Sequence, residues 1–123
     1  MEIIWPHALH KPKLVSKRSC NPNVYHTFVV VDDDAPKPPF LHYLKINIRC
    51  TEEGKDTIMS WLPPMPPQGE SHHYTARLYE QSKYFAPFPV KYRESFKWPV
   101  DKHIRIVSEL PPRLANSKGF SQS

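Results

Sequence analysis

Glycine is scarce in this 123-residue chain, with Gly54, Gly69 and Gly119 its only three. So few and so widely spaced, they cannot form a glycine-rich dinucleotide turn or a phosphate-cradling nucleotide loop, and both chemistries are excluded. Cysteine is rarer still: Cys20 and Cys50 stand far apart and make no CxxC pair. Long apolar runs are missing as well. None exceeds Phe28 to Val31, whereas a membrane-spanning helix needs about twenty residues. The opening residues, Met1-Glu2-Ile3-Ile4-Trp5-Pro6, carry neither a basic stretch nor an apolar one, so no signal peptide is expected. A cytoplasmic location with both cysteines as free thiols is the resulting expectation.

Proline is abundant, at 15 residues. It breaks helix interiors and central strands, so long helices are not expected and short strands joined by stiff loops are. An apolar share of 39% with 12% aromatics is too rich for a disordered chain, and the length suits one domain over residues 1–123. The net charge of +5 favours anionic partners. Its only tight basic cluster is Lys11, Lys13, Lys17 and Arg18, which is too little for a nucleic-acid interface, so no specific nucleic acid is expected.

Residues 1–23 read as a basic, proline-punctuated segment with a short strand at Lys13–Val15. The β-branched and aromatic run Val24–Val31 is the strongest strand and stops at Asp32-Asp33-Asp34 and Pro36. Leu41–Arg49 alternates, with His42, Leu44, Ile46 and Ile48 expected on one face and Tyr43, Lys45, Asn47 and Arg49 on the other. A polar turn at Glu52-Glu53-Gly54, a strand at Ile58–Leu62, and the stiff loop from Pro63 to Gly69 follow. His72–Glu80 is a further strand, with His72, Tyr74, Ala76 and Leu78 on one face. Ile104–Val107 is another, and residues 114–123 read as a loose tail.

Strand parity joins residues that are distant in sequence. Continuing the Phe28 and Val30 face reaches Asp32 and Asp34, while the apolar faces of the next strands begin at His42 and at His72 with Tyr74. Two carboxylates, two imidazoles and a phenol would then share one rim and supply acceptors, switchable donors and a fixed hydroxyl. Taken singly, each has a bland reading: a strand-end histidine is commonly a satisfied core residue, and an aspartate before proline commonly caps a turn. Their shared facing is what points to a site.

Asp32-Asp33-Asp34-Ala35-Pro36, the strand opened by His42 and containing Asn47, and Pro66-Pro67-Gln68-Gly69 leading to His72, Tyr74 and Tyr79-Glu80-Gln81 resemble the signature of the phosphatidylethanolamine-binding protein family. The resemblance spans roughly Val24 to Gln81. It implies an all-β fold with a large central antiparallel sheet and a second small sheet, and a shallow pocket for phosphate or a phosphorylated head group. By position, Asp32, His42, His72 and Tyr74 would bind the ligand. Asp34, Ala35, Pro36, Met65, Pro66, Pro67 and Gly69 would wall the pocket, with Trp61 behind the proline loop and a cis bond at Ala35-Pro36. Three departures stand out: Asp33 replaces the motif's first proline, His73 replaces its arginine, and Met65 falls where a glycine is usual. The N-terminal strands of typical members look trimmed or absent.

The resulting expectation is a non-enzymatic binding or regulatory protein with no cofactor and no metal. Its partners would be a phosphorylated small molecule or phospholipid head group, a protein such as a kinase at the rim, and a membrane surface contacted peripherally. Two rivals use the same residues. The Asp/His cluster could serve a metal-dependent or acid/base hydrolase, or the chain could be a protein-binding scaffold with a vestigial pocket, which Met65 favours.

Overall fold

The computed structural model describes residues 1–50, 56–98, 103–110 and 112–116, and contains no helix among them. Its strands are β1 (Glu2–Ile4), β2 (Lys13–Val15), β3 (Tyr25–Asp32), β4 (Phe40–Ile48), β5 (Asp56–Met59), β6 (Ser71–Gln81), β7 (Ile104–Glu109) and β8 (Arg113–Asn116). β1 and β2 form a two-stranded sheet; the others form a large sheet in the order β5-β4-β3-β6-β7, with β8 also paired to β6. Every pairing is antiparallel. A large central sheet with a small second one is therefore the observed architecture.

β3 is buried along nearly its whole length, as a near-continuous apolar run predicts for a strand covered on both faces. One face carries Phe28, Val30, Tyr74, Ala76 and Leu78, and packs against Ile3, Trp5 and Ala8. Residues 1–23 thus contribute core side chains, and Trp5 is fixed by its indole N–H donating to the His10 carbonyl at 2.9 Å. The other face carries Val29, Val31, Leu41, Leu44 and Ile46, and is covered by Phe85, Phe88, Phe96 and Trp98 from the proline-interrupted segment after β6.

The expected parity of β4 is wrong at both ends. Val30 pairs with Tyr43 but Val31 pairs with Leu41, so His42 is an extra residue, and a second shift lies between His26 and Phe28. Each bulge reverses the alternation. Tyr43 and Ile48 therefore belong to the first core cluster, while Leu44 and Ile46 belong to the second. The guanidinium of Arg93 stabilises the first bulge by donating to the carbonyls of Leu41 and His42 at 3.1 and 3.2 Å. At the second, Asn47 has φ 59°, and Gln81 fixes it by accepting its backbone N–H and donating to its side-chain oxygen. The Asn47 amide also donates to Asp56 and to the Phe85 carbonyl.

Other expectations are corrected. Part of the expected tail is a strand: β8 pairs with Ser71–Tyr74, the half of the β6 edge that β7 leaves open. The fifth strand ends at Met59, ahead of the prolines. The cis peptide bond found is Pro38-Pro39 and not Ala35-Pro36. The turn at residues 52–54 and residues 117–123 lie outside the described residues.

Cys20 and Cys50 are not free thiols but a disulfide, with Cα atoms 5.7 Å apart. Sequence separation says nothing about such proximity. The bridge ties the N-terminal segment to the end of β4, and it removes the reduced-thiol argument for a cytoplasmic location. Closing a 30-residue loop restricts the unfolded chain enough to stabilise the fold by about 3–4 kcal/mol. The double variant Cys20→Ser, Cys50→Ser should lose about that much in urea unfolding. Alkylation of the native protein without reductant should add no label, and two labels would contradict the bridge.

Candidate functional site

The unbroken β3–β6 ladder sets Asp32 opposite Tyr74, and the bulge in β4 turns His42 onto the same side. These residues meet in a cavity of about 210 Å³, lined also by Ala35, Pro36, Phe40, Leu62, Pro63, Met65, Pro66, Pro67 and His72. Asp32, His42, His72 and Tyr74 supply its polar groups, and proline, phenylalanine and methionine supply the walls. The His42 ring stands edge-on to Tyr74 with centroids 5.3 Å apart.

His72 is nearly buried and held at both ring nitrogens. Nδ1 lies 2.7 Å from Asp32 Oδ2, and Nε2 lies 2.9 Å from Glu70 Oε2. A carboxylate accepts and cannot donate, so both nitrogens must carry protons to make these bonds. Burial alone would lower the His72 pKa, but the hydrogen bonds its ring donates to Asp32 and then Glu70, with the charges of those carboxylates, outweigh it and raise it. Asp32 is fixed in turn, accepting the Asp34 backbone N–H at 2.8 Å. Its role is to orient His72.

His42 goes the other way. Burial pushes its pKa down more than the Leu62 hydrogen bond lifts it. Its Nδ1 lies 2.6 Å from the Leu62 carbonyl, which can only accept, so the neutral ring carries its proton on Nδ1 and presents Nε2 as an acceptor. Tyr74 is pushed well above its ordinary range, chiefly by burial and then by the charges of Asp32 and Asp34, and remains a phenol. The residue is fully buried, and its hydroxyl has no hydrogen-bond partner among the described residues.

The cavity gathers Asp32, His42, His72, Tyr74, Ala35, Pro36, Met65, Pro66 and Pro67 from the expected set. Met65 is 77% exposed, standing at the mouth and not filling it. Asp34 and Gly69 do not line the cavity. The Asp34 carboxylate instead accepts from the backbone and ring of His73 at 2.7 and 2.6 Å. Gly69 supplies a φ of 85° in the turn before β6, a conformation that suits glycine. Trp61 also lies outside the lining, and packs near Tyr43 and His42 with ring centroids 6.4 and 6.2 Å away. Phe40 and Leu62 in the lining were not foreseen, and neither were two polar contributors outside it. Arg93 gives no sequence signal, because its partners are carbonyls of a bulge. Glu70 does: one step of strand alternation back from His72 reaches it.

A family model for phosphatidylethanolamine-binding protein matches residues 8–107. No curated protein sequence matches significantly. Among solved structures, the fold is similar to a chain from the crystal structure of carboxypeptidase Y inhibitor complexed with the cognate proteinase, with a TM-score of 0.62 and 20% identity. That similarity covers 72% of this chain and 58% of the other, so this chain spans well under two thirds of its neighbour.

The two cavity histidines should titrate on opposite sides of the ordinary value near 6.5. Ring-nitrogen NMR should place His72 above it, and His42 and the buried His26 below it. The contribution of His72 to stability is complete below about pH 6.5 and is lost as pH rises through its folded pKa. His26 and His42 are neutral in the fold, so stability is also lost as pH falls from about 6.5 through their lowered values. Their joint contribution to the urea midpoint should peak near pH 6.5. A His42 that titrates above His72 would contradict this arrangement.

Proposed function

The chain belongs to the phosphatidylethanolamine-binding protein family, and on that premise we propose that it is a non-catalytic binding and regulatory protein that takes phosphate or a phosphorylated head group in the cavity between His42, His72 and Tyr74. The observation that carries this reading is the Tyr74 hydroxyl, fully buried and without a partner among the described residues. Such a group costs free energy unless something accepts its proton, so its position favours a ligand oxygen. The imidazolium of His72 a few residues away favours an anionic one.

At about 210 Å³ the cavity is small beside the roughly 300–1,000 Å³ of drug-sized sites, which suits a head group and not a whole lipid. The proline-rich wall holds the mouth open at little entropic cost. A second, open groove carries Lys37, Lys91, Tyr92 and Arg93 with Glu94, which pairs with Lys37 at 3.6 Å, and shares Phe40 with the cavity. It supports a protein or membrane partner at the rim. The neighbouring structure contains an inhibitor bound to a proteinase, which makes protein binding a reasonable role for this fold.

The hydrolase reading has less support. Among the described residues no group of three His, Cys, Asp or Glu is placed to hold a metal, and Asp32 and His72 are engaged with each other and with Asp34 and Glu70.

Tyr74→Phe separates binding from folding. Removing an unpartnered hydroxyl should leave stability unchanged or slightly higher. Loss of its bond to the ligand should weaken binding of O-phosphorylethanolamine and inorganic phosphate by about three- to tenfold in NMR titrations. A variant that binds both as tightly as the native protein would remove the main support for this reading.

A further inference from the structure

We propose that Glu70 is a built-in occupant of the anion position: its carboxylate sits on His72 Nε2, where the ligand's anionic oxygen would bind, and it must leave for the site to load. The inference rests on the phosphate-type reading above and adds the residue that sets which anions enter.

The two carboxylates on His72 are not equivalent. Asp32 is 6% exposed and also receives the Asp34 N–H, whereas Glu70 is 56% exposed. Asp32 is a fixed part of the core. Glu70 hangs from a turn, its backbone N–H donating to the Pro67 carbonyl at 3.0 Å, and its half-exposed side chain is held by the bond to His72. One partner is built in and the other is removable.

The cavity is also short of donors for an anion. Neutral His42 presents an acceptor, and Asp32 presents only oxygens, so the donors among its polar groups are the Tyr74 hydroxyl and His72 Nε2–H. The Tyr74 hydroxyl has no partner among the described residues, while Glu70 takes the His72 donor. An incoming oxyanion that reaches Tyr74 must compete with Glu70 for His72. Charge works in the same direction: Asp32 and His72 offset each other, and the Glu70 carboxylate leaves the mouth one charge negative. Rotating it outward exposes the imidazolium.

Selectivity follows from this competition. A tethered carboxylate is present at high effective concentration, so a free carboxylate or halide, which binds no more strongly than Glu70 itself, gains little by exchange. On this reading a tetrahedral oxyanion bonds to both His72 and Tyr74, two bonds where Glu70 makes one. If the unplugged form is about one-tenth of the population, apparent affinity is reduced by about tenfold.

The test is sulfate titration of the native protein, Glu70→Ala and Glu70→Gln, followed by NMR signals of the His72 and Tyr74 rings. Sulfate does not titrate, and every protein is titrated at pH 6, below the ordinary histidine value near 6.5, with the Asp32 partner of His72 kept in all of them. Glu70→Ala should bind sulfate about tenfold more tightly than the native protein, with Glu70→Gln between them, and acetate should gain relative to sulfate. Glu70 is exposed, so both variants should fold as the native protein does. Equal or weaker sulfate binding in Glu70→Ala, with the His72 and Tyr74 signals still responding, would overturn the role of Glu70 and leave the site reading standing. Failure of sulfate to move those signals in any of the proteins would overturn both.

Discussion

The pairing of β3 with β6 runs through eight consecutive residue pairs without a shift, from Tyr25 opposite Gln81 to Asp32 opposite Tyr74. Side-chain facing has a period of two, so a one-residue slip would turn Phe28, Val30, Ala76 and Leu78 away from the core they share with Trp5. The hydrophobic cost of that slip fixes the register in the middle of the ladder. The cavity then forms at its end, where the apolar run gives way to Asp32 and the facing strand begins with His72 and Tyr74. Position at the site is set by burial some distance from it.

β4 answers to a different constraint. It is buried on both faces like β3 but carries polar residues, and strict alternation would put His42 and Tyr43 on opposite sides. The extra residue at His42 places that imidazole beside Tyr74 while Tyr43 packs edge-on against Phe28 at 5.9 Å. A bulge leaves backbone groups out of the ladder, and these must find partners. Arg93 supplies them at the first bulge and Gln81 at the second, so two polar side chains that do not line the cavity hold the strand that presents His42.

The unbroken elements were the legible ones. β3 and β6 follow from β-branched runs and period-two alternation, and the common facing of Asp32, His72 and Tyr74 follows from the same rule. Bulges are settled by what packs on each face, so the alternation in Leu41–Arg49 misassigns His42 and Ile48 while placing Tyr43 correctly opposite Leu44 and Ile46. The partnership of Cys20 with Cys50 depends on a loop path that carries no local signal, and so do the burial of Ile3 and Trp5 and the reach of Arg93. Asp34 misled because the turn after β3 breaks the alternation: its carboxylate accepts from His73, on the opposite face of β6 from His72. Glu70 was within reach of the parity argument, but it lies one step ahead of the strand.

The opposed states of the two histidines have a common origin. Both are buried, and burial alone favours the neutral ring in each. What differs is the partner. His42 meets a carbonyl, which uses one N–H and offers no net charge, so desolvation prevails. His72 meets two carboxylates, whose charge reverses the balance. Exchanging one carboxylate for an oxyanion would leave that balance in place, because the imidazolium would still have an anion at each nitrogen. On the proposed reading, His72 therefore need not gain or lose a proton when the site loads, and neutral His42 can take a hydrogen bond from a ligand O–H. A phosphate monoester that keeps one proton carries both an anionic oxygen for His72 and an O–H that His42 can accept.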